Sequence, residues 1–366
     1  MYKITIIAGA RPNFMKIAPI IHAIQKTQKE GFELDYRLVH TGQHYDKNMS
    51  GSFFEQLDIP EPHVNLDCHG GSQAQQTADI MIHFEKELLA HPANLVLVVG
   101  DVTSTMACAL VAQKLNTKVA HVEGGIRSDD WSMPEEINRL VTDSITNYFF
   151  TTSETANINL KQSGVKEDQI FFVGNTMIDT LLKQRPNFTK PKVWNDLNLE
   201  KQNYIVMTLH RPANVDEESQ LKSMIDEIIA HTRDLPLVFP VHPRTAKILE
   251  RLKVGHSRLH MLEPLSYLEF NYLVENAKAV ITDSGGITEE ASIMRVPCLT
   301  LRDNTERPET ITLGTNELVG TDPENLKPYL DKLFAGQWKK GQDIPLWDGK
   351  TAERIVDGLK AISNER

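Results

Sequence analysis

The chain has 366 residues, longer than one hydrophobic core usually supports, so two domains are expected. Its 40% hydrophobic and 24% charged residues are those of a globular enzyme, and a formal net charge of −10 excludes a general affinity for nucleic acid or acidic membrane. Three cysteines far apart, Cys68, Cys108 and Cys298, offer neither a disulfide framework nor a C-x-x-C motif.

"MYKITIIAG" runs straight into a strand with no cleavable signal region. No apolar run approaches the roughly 20 residues that span a bilayer. A cytoplasmic protein without membrane contact is expected. In chain order, apolar β-branched runs lie at 3–9, 35–42, 95–101, 118–125, 148–152 and 170–175, with helical spacing in "IAPIIHAIQKTQ" and "TMACALVAQKLN" between them. Runs that are continuously apolar, rather than alternating, indicate parallel strands covered on both faces. This βαβ series predicts a doubly wound domain. The stretch 185–203, polar with two prolines, reads as connector and surface loop. Strands resume at 204–210, 235–242, 259–265, 279–286 and 296–303, which predicts a second α/β domain. "AGARPNF" and "TLHRPANV" both place Arg-Pro after a strand, suggesting two walls of one cleft.

Common nucleotide and hydrolase signatures are missing. No G-x-G-x-x-G follows the first strand, and there is no P-loop, no G-x-S-x-G and no H-E-x-x-H, so NAD, ATP, a serine nucleophile and a metal are all poorly supported. Carboxylates and cations gather instead in strand-end loops. Asp101 follows the most apolar run, where it is either an N-cap or an acid–base group. Glu123 precedes Gly124 and Gly125, a setting less easily explained by capping. "PEEINR" puts Glu135 and Arg139 four apart on one helix face, as an exposed ion pair or as part of a site. Arg11 and Lys16 flank the first strand–helix turn, His210 with Arg211 ends the first strand of the second half, and Arg307 lies in "NTERPE". In "TDSGGITEEA" the glycines and the helix amides at Ser284, Gly285 and Gly286 make either an ordinary turn or a diphosphate cradle.

Taken in order, "GARPNFMK", "TGQHYDKNM", "GDVTST", "HVEGGIRS", "MPEEINR", "GNTMID", "LHRPANVD", "TDSGGITEEA" and "RDNTERPE" resemble the non-hydrolysing UDP-N-acetylglucosamine 2-epimerase family across nearly the whole chain. The resemblance implies an α/β fold of two Rossmann-like domains, the glycosyltransferase-B type, with the active site in the interdomain cleft. It implies an N-terminal domain over 1–172, rejoined by the C-terminal helix 353–366, and a UDP-binding domain over 173–352. The implied reaction interconverts UDP-GlcNAc and UDP-ManNAc with no cofactor and no metal, in a cytoplasmic homodimer that supplies surface polysaccharide synthesis. Catalytic positions fall on Asp101, Glu123, Glu135, Arg139 and His210. Substrate contacts fall on Arg11, Lys16, Phe270, Ser284, Gly285, Gly286, Glu290 and Arg307, with Glu290 at the uridine ribose. Gln43 and His44 are candidate regulatory contacts for a second, activating UDP-GlcNAc, and Ala213 stands where many members carry a glutamate. Leu265 replaces a glutamine found in some members. Three other readings compete: a sister epimerase of UDP-2,3-diacetamido-uronates, a glycosyltransferase of the same fold, and a non-catalytic UDP-sugar sensor. Asp101, Glu123 and Glu135 together speak against the last two.

Overall fold

The computed structural model describes residues 1–42, 57–241, 243–252 and 254–364. They form two compact α/β units, Met1–Thr180 with Pro345–Arg366, and Leu181–Ile344. Among the described residues no helix is long and apolar enough to cross a membrane.

The first unit is built on seven parallel strands: β1 (Tyr2–Ala8), β2 (Leu34–His40), β3 (Val64–Asn65), β4 (Leu95–Val99), β5 (Lys118–Val122), β6 (Tyr148–Thr151) and β7 (Ile170–Phe172). Their order is β3-β2-β1-β4-β5-β6-β7. Every residue of β4, LVLVV, is buried, as a strand with helices on both faces requires. The C-terminal helix Thr351–Asn364 lies against the helix Arg11–Lys29 of this unit. It turns Ile355, Val356, Leu359 and Ile362 inward as one apolar stripe. Its first amides, on Thr351 and Ala352, donate to the Asp179 carboxylate at 3.1 and 2.7 Å, which fixes where the helix starts.

The second unit holds six parallel strands: β8 (Ile205–Thr208), β9 (Leu237–Pro240), β10 (Leu259–Leu262), β11 (Ala279–Thr282), β12 (Cys298–Thr300) and β13 (Asn316–Leu318), in the order β10-β9-β8-β11-β12-β13. In both sheets the chain reverses its direction of winding beside the first strand, between β1 and β4 and between β8 and β11. Ligands of open α/β sheets bind outside the carboxyl ends at such switch points. The loops after β1, β4, β8 and β11 are therefore the places to look for chemistry.

Two expectations need correction. The stretch 185–203 is not only connector: it forms a short 3₁₀ turn, Arg185–Asn187, and a helix, Lys192–Asp196. That helix buries Val193 and Trp194, and the Trp194 ring stands edge-on to Tyr204 and Tyr272 at 5.7 and 5.3 Å. One large aromatic outweighs the polar residues around it. The strands β3 and β13, two and three residues long, were not anticipated at all, being too short to show a pattern.

Candidate active site

Register sets the first cluster. Val99 at the end of β4 pairs with Val122 at the end of β5, so Asp101 and Glu123 leave adjacent strands at one level. Glu123 is buried and adopts φ +72°, a left-handed conformation that costs a non-glycine residue about 1–3 kcal/mol. Its amide donates to Phe150 O at 2.9 Å, and its carboxylate pairs with Lys16 Nζ at 2.8 Å. Lys16 stands on the helix that follows β1, across the switch point. Arg11 opens the same helix, but its side chain lies outside the described residues.

Asp101 is not a cap. The helix Thr103–Lys114 starts from Val102 with no side-chain capping bond. Asp101 Oδ2 instead accepts from both Arg139 Nε and Nη2, at 3.0 and 2.9 Å, two charge-assisted bonds on one oxygen. Asn138, beside it, donates to Asp101 O at 2.8 Å. Of the two readings of Glu135 and Arg139, the exposed ion pair does not form. Arg139 Nη1 meets Glu136 Oε2 at 2.5 Å, three residues back instead of four. Glu136 also accepts from the amide and hydroxyl of Ser128, each at 3.0 Å, and from the amide of Asp129 at 3.2 Å. Those bonds draw it inward, to 1% exposure, and Arg139 follows. Glu135 is left half-buried without a hydrogen bond or ion pair among the described residues. "PEE" contained both glutamates, and helix spacing alone does not separate three from four.

The second unit builds its own cluster where β8 and β11 end side by side, Thr208 opposite Thr282. Asp283, fully buried, is the hub. It accepts from the amides of His210 and Arg211 at 3.0 and 2.9 Å and from Asn214 Nδ2 at 3.1 Å. It also pairs with His210 Nδ1 at 2.7 Å. Burial alone would raise the Asp283 carboxyl, but His210, the Arg211 amide and Asn214 together hold it below the usual range. His210 itself stays exposed, with its orientation set by Asp283. In "TDSGG" the glycines draw attention, and nothing in the local sequence marks this aspartate. Its role depends on which strand lies beside β11, which no spacing reveals.

Ser284 stands at the N-cap position of the helix Gly285–Ile293 and makes no side-chain capping bond. Its amide is already taken by Thr282 Oγ1 at 3.0 Å, so the Ser284 hydroxyl and the amides of Gly285 and Gly286 are what this turn offers an anion. A Cβ on residue 285 would come within 2.8 Å of Glu306 Oε1, so that carboxylate would have to shift. Arg307 is buried and paired with Glu289. Phe270 is half-buried on the helix Tyr267–Asn276. From that helix Tyr267 donates its hydroxyl to Glu290 Oε1 at 2.7 Å. Burial, reinforced by Glu289, pushes the Glu290 carboxyl up to about 7 against the hydrogen bond from Tyr267. Gln43 and His44 lie outside the described residues.

Glu309, one step past "TERP", is buried, and its carboxylate finds no hydrogen-bond partner beyond its own backbone amide among the described residues. Burial pushes it up to about 7, with Arg307 pulling the other way and Glu289 and Glu306 adding to the rise. The unfolded chain loses this proton near 4.5 and the folded chain near 7. The cost of burying the carboxylate is therefore absent below the lower value, grows between the two and is constant above the higher, at about 3 kcal/mol. Glu309→Gln is expected to raise the melting temperature at pH 8 and to leave it unchanged at pH 4. Melting curves across that range check this, and a gain independent of pH would contradict the cause given.

The comparisons with known proteins agree over most of the chain. A family model described as UDP-N-acetylglucosamine 2-epimerase matches residues 25–360. A protein named UDP-N-acetylglucosamine 2-epimerase from Methanocaldococcus jannaschii is 42% identical over 97% of this chain and 98% of its own length. A UDP-2,3-diacetamido-2,3-dideoxy-D-glucuronate 2-epimerase from Pseudomonas aeruginosa is 41% identical over 87% of this chain and 88% of its own. A crystal structure of the M. jannaschii UDP-GlcNAc 2-epimerase in complex with UDP-GlcNAc and UDP superposes with a TM-score of 0.87, covering 98% of this chain and 99% of that one at 41% identity.

Proposed function

This chain belongs to the UDP-N-acetylglucosamine 2-epimerase family, and we propose that it interconverts UDP-GlcNAc and UDP-ManNAc by inverting C2 of the sugar. The supporting observation is the pair of strand-end clusters, carboxylates with cations in one unit and an anion-ready turn in the other, in a chain that matches the family along nearly its whole length.

The chemistry explains the residue types. The C2 proton is not next to a carbonyl, so removing it alone is very costly. Elimination avoids a free carbanion: a base takes the proton, the C2–H electron pair becomes the C1=C2 double bond, and the C1–O bond breaks with its electrons on the diphosphate of UDP. Adding UDP back across the double bond of 2-acetamidoglucal, with a proton delivered to the other face of C2, gives the epimer. Nothing is oxidised, and neither NAD nor a metal takes part. Asp101, Glu123 and Glu135 form the acid–base pool, and Arg139 holds Asp101 in place. Lys16, Arg11 and Arg307 supply positive charge to the departing UDP, and His210 stands beside them as a hydrogen-bonding group. The Ser284 hydroxyl and the Gly285 and Gly286 amides take the diphosphate, Glu290 the ribose hydroxyls and Phe270 the uracil. The active form proposed is a cytoplasmic homodimer serving surface polysaccharide synthesis.

A second reading is favoured by the 41% identity to the diacetamido-glucuronate enzyme: the same C2 inversion on a UDP-2,3-diacetamido-uronate. Proton NMR of the protein with each UDP-sugar alone tests both. Appearance of UDP-ManNAc from UDP-GlcNAc is the expected result. Turnover of the uronate only would replace the first reading with the second, and turnover of neither would leave a sensor.

A further inference from the structure

We propose that His121 is a positioning residue which, through Gly100 and Asp143, fixes the loops that carry Asp101 and Glu123 in one mutual geometry. The proposal rests on the function proposed above. His121 lies on β5 with its side chain fully buried. Its Nε2 is 2.7 Å from Gly100 O, the carbonyl just before Asp101. A carbonyl only accepts, so Nε2 carries a hydrogen. Its Nδ1 is 2.7 Å from Asp143 Oδ1. Asp143 Oδ2 in turn accepts from the Gly125 amide at 3.0 Å and from Arg127 Nη1 at 2.6 Å.

Burial would raise the Asp143 carboxyl, but His121 and Arg127 hold it below the ordinary range. Asp143 is then ionised and accepts only, so Nδ1 carries a hydrogen too. The ring is committed at both ends, one to the Asp101 loop and the other, through Asp143, to the turn after Glu123. The fit is close: a Cβ on residue 124 would come within 2.8 Å of the Phe149 ring and 3.4 Å of both Asp143 Oδ1 and His121 Nδ1. Buried ion clusters are often replaceable by apolar side chains at no loss of stability, so stability alone is weak grounds for such a unit. What this cluster uniquely supplies is a fixed link between two loops, each holding a carboxylate that the reaction needs in place.

His121→Asn reaches Asp143 but not Gly100, and Asp143→Asn removes the ionised acceptor between the ring and Gly125. Misplacement of reacting groups by about an ångström costs roughly 100-fold in rate. Each variant is expected to lower kcat by about 10- to 100-fold, with KM and calorimetric UDP affinity within about twofold and an unchanged circular dichroism spectrum. Wild-type kcat in either folded variant overturns the proposal, and so does a rise in KM that accounts for the whole loss. In wild-type protein labelled with 15N-histidine, one ring should carry two slowly exchanging N–H protons, and this signal should be absent from His121→Asn. If the variants fail to fold, that spectrum decides: two such protons on one ring support the link, and their absence overturns it. Wild-type protein that converts no UDP-sugar defeats the functional reading instead, while the spectrum still reports the bonding of the ring.

Discussion

Glu123→Gln should lower turnover of UDP-GlcNAc by roughly 100-fold or more, the scale on which a positioned acid or base contributes, while UDP affinity stays within about twofold. Glu123 is buried at the end of β5, adopts φ +72° and faces the Lys16 ammonium. A strained backbone persists only where its surroundings over-determine it, and such residues concentrate at functional sites. Glutamine preserves the shape, removes the charge and the ability to exchange a proton, and leaves Lys16 without its buried partner, at some cost in stability. The variant should still fold, and its loss of turnover should fall on kcat. Parallel measurement of kcat, KM and UDP binding checks this. Near-normal turnover would return Glu123 to a structural ion pair with Lys16.

Arg139→Met is expected to strike stability and turnover together. It leaves Glu136, at 1% exposure, without its cation, and it removes both hydrogen bonds that hold Asp101 Oδ2. Removing one partner of a buried pair costs about 3–5 kcal/mol. In a unit of this size that lowers the melting temperature by roughly 6–20 °C. Arg139→Lys should recover less than half, because a point ammonium does not serve Asp101 and Glu136 at once. A double change, Arg139→Met with Glu136→Met, removes the orphaned charge and should restore much of the melting temperature without restoring turnover. Recovery of turnover along with stability would show that Arg139 has no part in placing Asp101.

The limits of reading this chain from its residues are physical. Long buried strands were legible because parallel strands covered on both faces leave continuous apolar runs, as in LVLVV of β4. Two- and three-residue strands such as β3 and β13 leave no pattern. Trp194 was hidden in a polar stretch whose average composition resembled a loop. Within the site, Asp101 and Glu123 stood out because an acidic residue directly after an apolar strand calls for a reason. Their partners were harder. Glu136 and Glu135 differ by one position, and only the Ser128 and Asp129 amides decide between them. Asp283 and His121 act through neighbouring strands, β8 beside β11 and β4 beside β5, and adjacency in a sheet is not written in local spacing.

Elimination and re-addition require the C2 proton to leave the substrate, and the most direct measurement follows that proton. UDP-GlcNAc incubated with the protein in heavy water, with a chelator present throughout, should yield UDP-ManNAc carrying deuterium at C2, at the same rate as without the chelator. UDP-ManNAc that keeps the original proton at C2 would contradict the mechanism.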